Sequence, residues 1–130
     1  MVWQAHEHNE WDVAIHQSLE AAEGPIALPS GGPDPFSLAD PPVVTQILET
    51  AGFADVTFTD VCEPVYYGPD VAAAFEWVRG FTSTSAALKQ LGPAAAERAV
   101  QCLREALAAH TSDDGVWFDS RAWIVTAHRR

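Results

Sequence analysis

Lysine and arginine are missing from the first 78 residues, although that stretch carries thirteen aspartates and glutamates. Residues 79–130 hold all seven basic residues and five acidic ones, so the two parts carry −13 and +2. The whole chain stands at −11, with a sequence pI near 4.6. So acidic a chain repels a nucleic-acid backbone or an anionic membrane, which argues against both as partners. The asymmetry itself reads by default as a solvated acidic face. It also suits a cationic ligand, or a piece whose basic complement lies elsewhere. Long apolar runs are lacking too, and none approaches the roughly 18–20 residues that a membrane-spanning helix needs. The opening MVWQAHEHNEWD has neither the basic nor the apolar region of a secretory signal, so a cytoplasmic location is expected. Cysteine is scarce. Cys62 and Cys102 form no disulfide framework and no CxxC pair, and both read as small buried hydrophobes. No G-x-S-x-G, P-loop, HExxH or G-x-G-x-x-G occurs, which removes the familiar nucleophile, phosphate, zinc and dinucleotide motifs.

What is present describes one globular domain spanning residues 1–130. At 14.1 kDa, with 48% apolar residues and five tryptophans, the chain has material for a real core. Met1–Gln4 is a short β-like scrap. Asn9 is a good N-cap, with Asp12 three residues on, and Trp11, Ala14, Ile15, Ser18, Leu19 and Ala22 then recur at helical spacing over about 10–23. Gly24-Pro25 ends that helix. Residues 24–39, with four prolines and three glycines, read as a long loop of the kind that often forms lids or binding loops. Asp40-Pro41 opens a second helix with an apolar stripe of Val43, Val44, Ile47, Leu48 and Ala51, closed by Gly52. Ala54–Val61 alternates as a strand. Further helices are expected after Asp70, weakly over 85–91, and over about 93–110, the last with Ala96, Val100, Leu103 and Leu107 inward. Val116–Phe118 and Ala122–Ala127 supply the closing strand segments. The fold class is α/β, with about three strands and four or five helices.

Among chemistry-bearing residues, His6 and His8 form an HxH pair that would share a metal only on a strand. No third ligand sits at a telling distance, so solvated histidines and no metal are the expectation. His110 suits a helix C-terminus, where the dipole favours a cationic imidazole. Gly31-Gly32 lacks the strand and helix of a phosphate cradle. The aromatics Trp3, Trp11, Phe36, Tyr66, Tyr67, Phe75 and Trp77 fall in or beside loops and helix starts, as in the lining of an apolar pocket. Taken singly, each reads first as core.

A series of segments carries a resemblance. It runs from Val2-Trp3-Gln4 and Asn9-Glu10-Trp11 to Pro35-Phe36-Ser37-Leu38-Ala39-Asp40. It continues through Ile47-Leu48, Ala51-Gly52-Phe53 and Val56-Thr57-Phe58 to Ala122-Trp123-Ile124-Val125-Thr126-Ala127. In this order and spacing the chain resembles the C-terminal half of a class I S-adenosylmethionine-dependent methyltransferase of the small-molecule type. The resemblance implies a partial Rossmann-like sheet whose last two strands are antiparallel, with Met1–Gln4 as that fold's fifth strand. The family's glycine-rich turn and ribose-binding acid lie upstream of that strand, and no residue here matches them. The implied protein is therefore a truncated methyltransferase-like chain that binds no cofactor alone. Alternatives are a non-catalytic homodimeric interaction or small-molecule-binding module, and the substrate half of a split methyltransferase. Expected partners are a second copy or a cofactor-binding chain. Acceptor-site candidates carried over are Trp3, Asn9, Trp11, Phe36, Ser37, Tyr67 and Phe75.

Overall fold

The computed structural model describes residues 1–24 and 33–130. Its elements in chain order are β1 (Val2–Trp3), a 3₁₀ turn (His6–His8), α1 (Glu10–Glu23), α2 (Pro41–Thr50), β2 (Phe53–Cys62) and β3 (Val65–Gly68). There follow α3 (Val71–Arg79), α4 (Thr82–Gln90), α5 (Pro93–Ala109), β4 (Thr111–Ser112), β5 (Gly115–Phe118) and β6 (Arg121–Arg129). The protein is α/β, with five α-helices and two antiparallel three-stranded sheets among the described residues. Most of the expected loop, residues 25–32 with Gly31-Gly32, lies outside them. The described residues fall into two compact units: Met1–Glu10 with Pro33–Glu63 and Asp119–Arg130, and residues 11–24 with Pro64–Phe118.

The first unit is a sheet with strand order β1-β6-β2 and one helix, α2. The three strands expected from Met1–Gln4, Ala54–Val61 and Ala122–Ala127 all fall in it, and the last two pair antiparallel. Alternation along β2 and β6 sorts Val56, Phe58, Trp123 and Val125 to one face, and Thr57, Thr59, Ile124 and Thr126 to the other. The Thr57 and Thr126 hydroxyls hydrogen-bond across the strands. One extra residue between Ala54 and Thr57 makes a bulge, absorbed at Asp55, whose φ of 53° a short polar side chain tolerates. Helix α2 packs on β2 and buries Val44. Its expected apolar stripe is only half used, since Val43 and Ile47 face solvent. A single sheet-facing side on a ten-residue helix has room for the 44/48 row but not for 43/47 as well. Cys62 ends β2 exposed, which corrects its reading as a buried hydrophobe; Cys102 is half-buried.

The second unit holds α1, α3, α4 and α5 with the sheet β3-β5-β4. Its core gathers Ile15, Leu19 and Ala22 of α1, Ala74, Phe75 and Val78 of α3, Ala99, Leu103 and Leu107 of α5, and Tyr67, Val116 and Phe118 of the sheet. Each large side chain buried this way contributes about 1.5–3 kcal/mol. Asp70 caps α3 by accepting the Ala73 N–H at 2.8 Å. Arg98 of α5 donates to the Ala22 carbonyl at 3.0 Å, near the end of α1 where carbonyls lack helical partners. The inward stripe of α5 begins at Ala95 and Ala99 rather than Ala96 and Val100, one residue round from the expectation. Strands β3 and β4 were not expected: β3 has four residues with no clear alternation and β4 has two.

Candidate functional site

The first unit carries a cleft of about 290 Å³ beside β1. Met1, Val2 and Trp3 form one wall, Pro35, Ser37 and Leu38 the other, and Ala122 of β6 lies between them. The volume sits at the lower end of small-molecule sites.

Both walls are tied down by polar groups. Trp3 stands opposite Ala122 in the ladder, and the Gln4 N–H donates to the Arg121 carbonyl at 3.0 Å. The buried Gln4 side chain donates to the Asp60 carboxylate and, at 3.2 Å, to the Ala122 carbonyl. Asn9 is fully buried, and its carboxamide fixes three backbone groups. Its Nδ2 donates to the carbonyls of Gln4 and Ala5, each at 3.1 Å, and its Oδ1 accepts the Arg121 N–H at 3.0 Å. The opposite wall is a turn. The Asp34 carboxylate accepts the Phe36 N–H at 2.9 Å, and the Ala39 N–H closes onto the Phe36 carbonyl at 3.0 Å. The Trp123 indole N–H then holds the Ala39 carbonyl at 3.2 Å, and the Phe36 ring meets His6 edge-on at 5.6 Å.

Trp3 and Ser37, two of the acceptor-site candidates, therefore share one cleft. Phe36 buttresses the turn that presents Ser37, and Asn9 braces β1 against β6. Trp11, Tyr67 and Phe75 belong to the second unit. Trp11 packs on its core, Tyr67 is buried with Phe118 at 5.1 Å between ring centres, and Phe75 is buried beneath the Arg104 guanidinium at 4.2 Å. Burial pushes the Tyr67 phenol above its ordinary 10.0, and the Asp12 carboxylate adds to the shift. Pro35 and Leu38 were within reach of sequence reasoning, as neighbours of Phe36 and Ser37. Ala122 was not, because only the β1–β6 register brings it to the site.

The lining mixes apolar side chains with the Ser37 hydroxyl and other polar surface, and no side chain in it is an acid, a histidine, a cysteine or a lysine. It can hold and orient a small ligand. His6 and His8 lie on a 3₁₀ turn, where residues two apart point in different directions, so the pair does not present both imidazoles to one ion. No described helix is long and apolar enough to cross a membrane. No protein-family model, curated protein or solved structure matches the chain.

Proposed function

We propose that this chain is the acceptor-side part of a methyltransferase-like domain, holding a small acceptor in the cleft beside β1. The observation that carries the reading is the cleft itself. It joins Trp3 and Ser37, which stand in two separate segments of the resemblance, around a small pocket of mixed polar and apolar surface. Trp3 supplies a ring face for a planar ligand, and Ser37 donates or accepts one hydrogen bond that sets its orientation. The sheet order β1-β6-β2, with β6 antiparallel to both neighbours, is compatible with the closing part of such a domain.

The lining does not fit S-adenosylmethionine. It contains no carboxylate to take ribose hydroxyls and no glycine to admit a close backbone approach, and its volume is small for so large a molecule. The cofactor is therefore assigned to a segment or chain outside these residues. Two titrations test the reading. Calorimetry with S-adenosylhomocysteine is expected to show no binding, and micromolar binding would overturn the assignment of the cofactor elsewhere. Phenol, aniline and imidazole, added during a ¹H–¹⁵N spectrum, are expected to shift Ser37, Leu38, Ala122 and the Trp3 indole. Silence there with all three, or shifts confined to the second unit, would overturn the acceptor cleft.

A further inference from the structure

Tyr67, Phe75 and Phe118 serve the core of the second unit, but another aromatic pair on its sheet does not. Alternation along β5 sends Val116 and Phe118 into the core and turns Gly115 and Trp117 to the outer face. Tyr66 stands directly opposite Trp117 in the ladder, so it shares that outer face, and it is 50% exposed. The two ring centres lie 5.0 Å apart, with their planes inclined at 54°. Both rings are held by the chain around them. A Cβ on Gly115 would stand 2.7 Å from Tyr66 Cε2, so the tyrosine ring rests directly on β5. The Trp117 indole N–H donates to the Asp114 carbonyl at 3.3 Å. Rings fixed in this way have little freedom left to lose when a ligand arrives.

The charge beside the rings has one sign. Asp113 and Asp114 form the turn between β4 and β5, and both are exposed. No lysine or arginine occurs in β3, β4, β5 or that turn. The basic residues of the second unit, Arg79, Lys89, Arg98 and Arg104, all stand on helices α3, α4 and α5. The buried residues of those helices join the core on the sheet's inner face. An aromatic face carries the negative part of the ring quadrupole, and two carboxylates on the adjoining turn add to the same potential. Of the possible ligands, a cation gains most from that field.

We propose that the Tyr66–Trp117 pair and the Asp113-Asp114 turn form a binding site for a compact organic cation of the quaternary ammonium class. Shape narrows the choice among cations. Rings inclined at 54° share no plane on which one flat ligand could stack against both. A rounded tetraalkylammonium group needs no common plane and can rest against two rings at once. It also carries no N–H, so it gives up no hydrogen bonds to water when it leaves solvent. A lysine-like ammonium would give up three. Two partly exposed rings make a weak site, with a Kd on the order of 1–10 mM at low salt. The carboxylates make that affinity fall as salt rises.

A ¹H–¹⁵N titration of the full chain with tetramethylammonium chloride, read against sodium chloride at equal ionic strength, tests the site. The Trp117 indole N–H and the Tyr66 and Gly115 amides are expected to shift together and saturate. The indole of Trp77, exposed at 59% but on α3, should stay still. tert-Butanol has nearly the same shape without the charge, and should bind about tenfold more weakly or less. Asp113→Asn combined with Asp114→Asn should raise Kd several-fold. Tyr66→Phe keeps the ring and should leave Kd within about twofold, whereas Tyr66→Leu should raise it several-fold. Should the leucine variant fail to fold, the unaltered chain decides the matter, since its two ligands already separate charge from shape. No saturable shift up to about 50 mM tetramethylammonium, or equal binding of tert-butanol, would overturn the proposal. So would a Kd indifferent to the two asparagines, shifts of the same size at Trp77, or a methyl glucoside that binds the same rings as tightly as the cation.

Discussion

Tyr67 shows how a single residue can be misplaced by a sound rule. An aromatic beside a turn suggests a pocket wall, but its partner Tyr66 takes the exposed side of β3 and Tyr67 turns into the core against Phe118. Burial there disfavours the phenolate, which gives a pH dependence with a definite sign. In the unfolded chain the phenol ionises near its ordinary value, while in the folded chain it stays protonated to higher pH. The unfolded state then binds fewer protons than the folded one, so stability is intact below about pH 10 and falls as pH rises beyond it. Tyr67→Phe removes the group. Its melting temperature should decline less than that of the parent chain between about pH 9 and 11, with the two close together at pH 7. Equal alkaline slopes would show that Tyr67 ionises freely in the fold. Thr84 is a second residue whose environment no pattern foretells: it is fully buried on α4, with no hydrogen-bond partner for its hydroxyl among the described residues.

Elements were legible in proportion to their length and periodicity. Helices α1 and α3 follow the expected spacing, and α5 does so at Leu103 and Leu107, because their apolar rows face a core built from several neighbours. The β2–β6 pair follows for the analogous reason, with alternation sustained along most of each strand. Strand β3 escaped because its existence depends on β5, its partner from the far end of the second unit. Within the cleft, Trp3 and Ser37 could be singled out from sequence, but their meeting depends on Asn9 and Gln4 fixing β1 to β6. The sheet β3-β5-β4 also rests on a glycine that sequence alone leaves unremarkable. Gly115 has φ of +112°, and a Cβ there would stand 2.5 Å from the Gly68 oxygen and 2.7 Å from Tyr66 Cε2. Gly52 has φ of +88° with nothing within 4 Å of such a Cβ. Gly52→Ala should thus cost only the backbone term, about 1 kcal/mol, whereas Gly115→Ala adds displacement of β3 and should cost at least about 2–3 kcal/mol. Urea midpoints of the two variants measure the difference, and equal losses would mean that β3 and β5 are not packed as closely as described.

At the scale of the whole molecule, charge is the property with the widest reach. Eighteen acidic residues outnumber the seven basic ones that could match them; Arg79–Glu76 at 2.7 Å and Arg121–Asp60 at 3.2 Å are exposed pairs. Such pairs contribute about 0–1 kcal/mol each and cannot offset the mutual repulsion of the rest. Folding draws the acids of residues 1–78 closer together than they stand in the open chain, so repulsion weighs more on the folded state. Salt weakens it: the screening length falls from roughly 30 Å at 0.01 M to about 8 Å near 0.15 M, a distance comparable to the spacing of surface charges. The melting temperature should therefore rise with sodium chloride over that range, by a few degrees for a chain of this size. The scan belongs at a few micromolar or below, where association between copies adds nothing. A melting temperature that falls with salt would mean that the acids are held in favourable networks, and that the missing cations of residues 1–78 are supplied from within the chain.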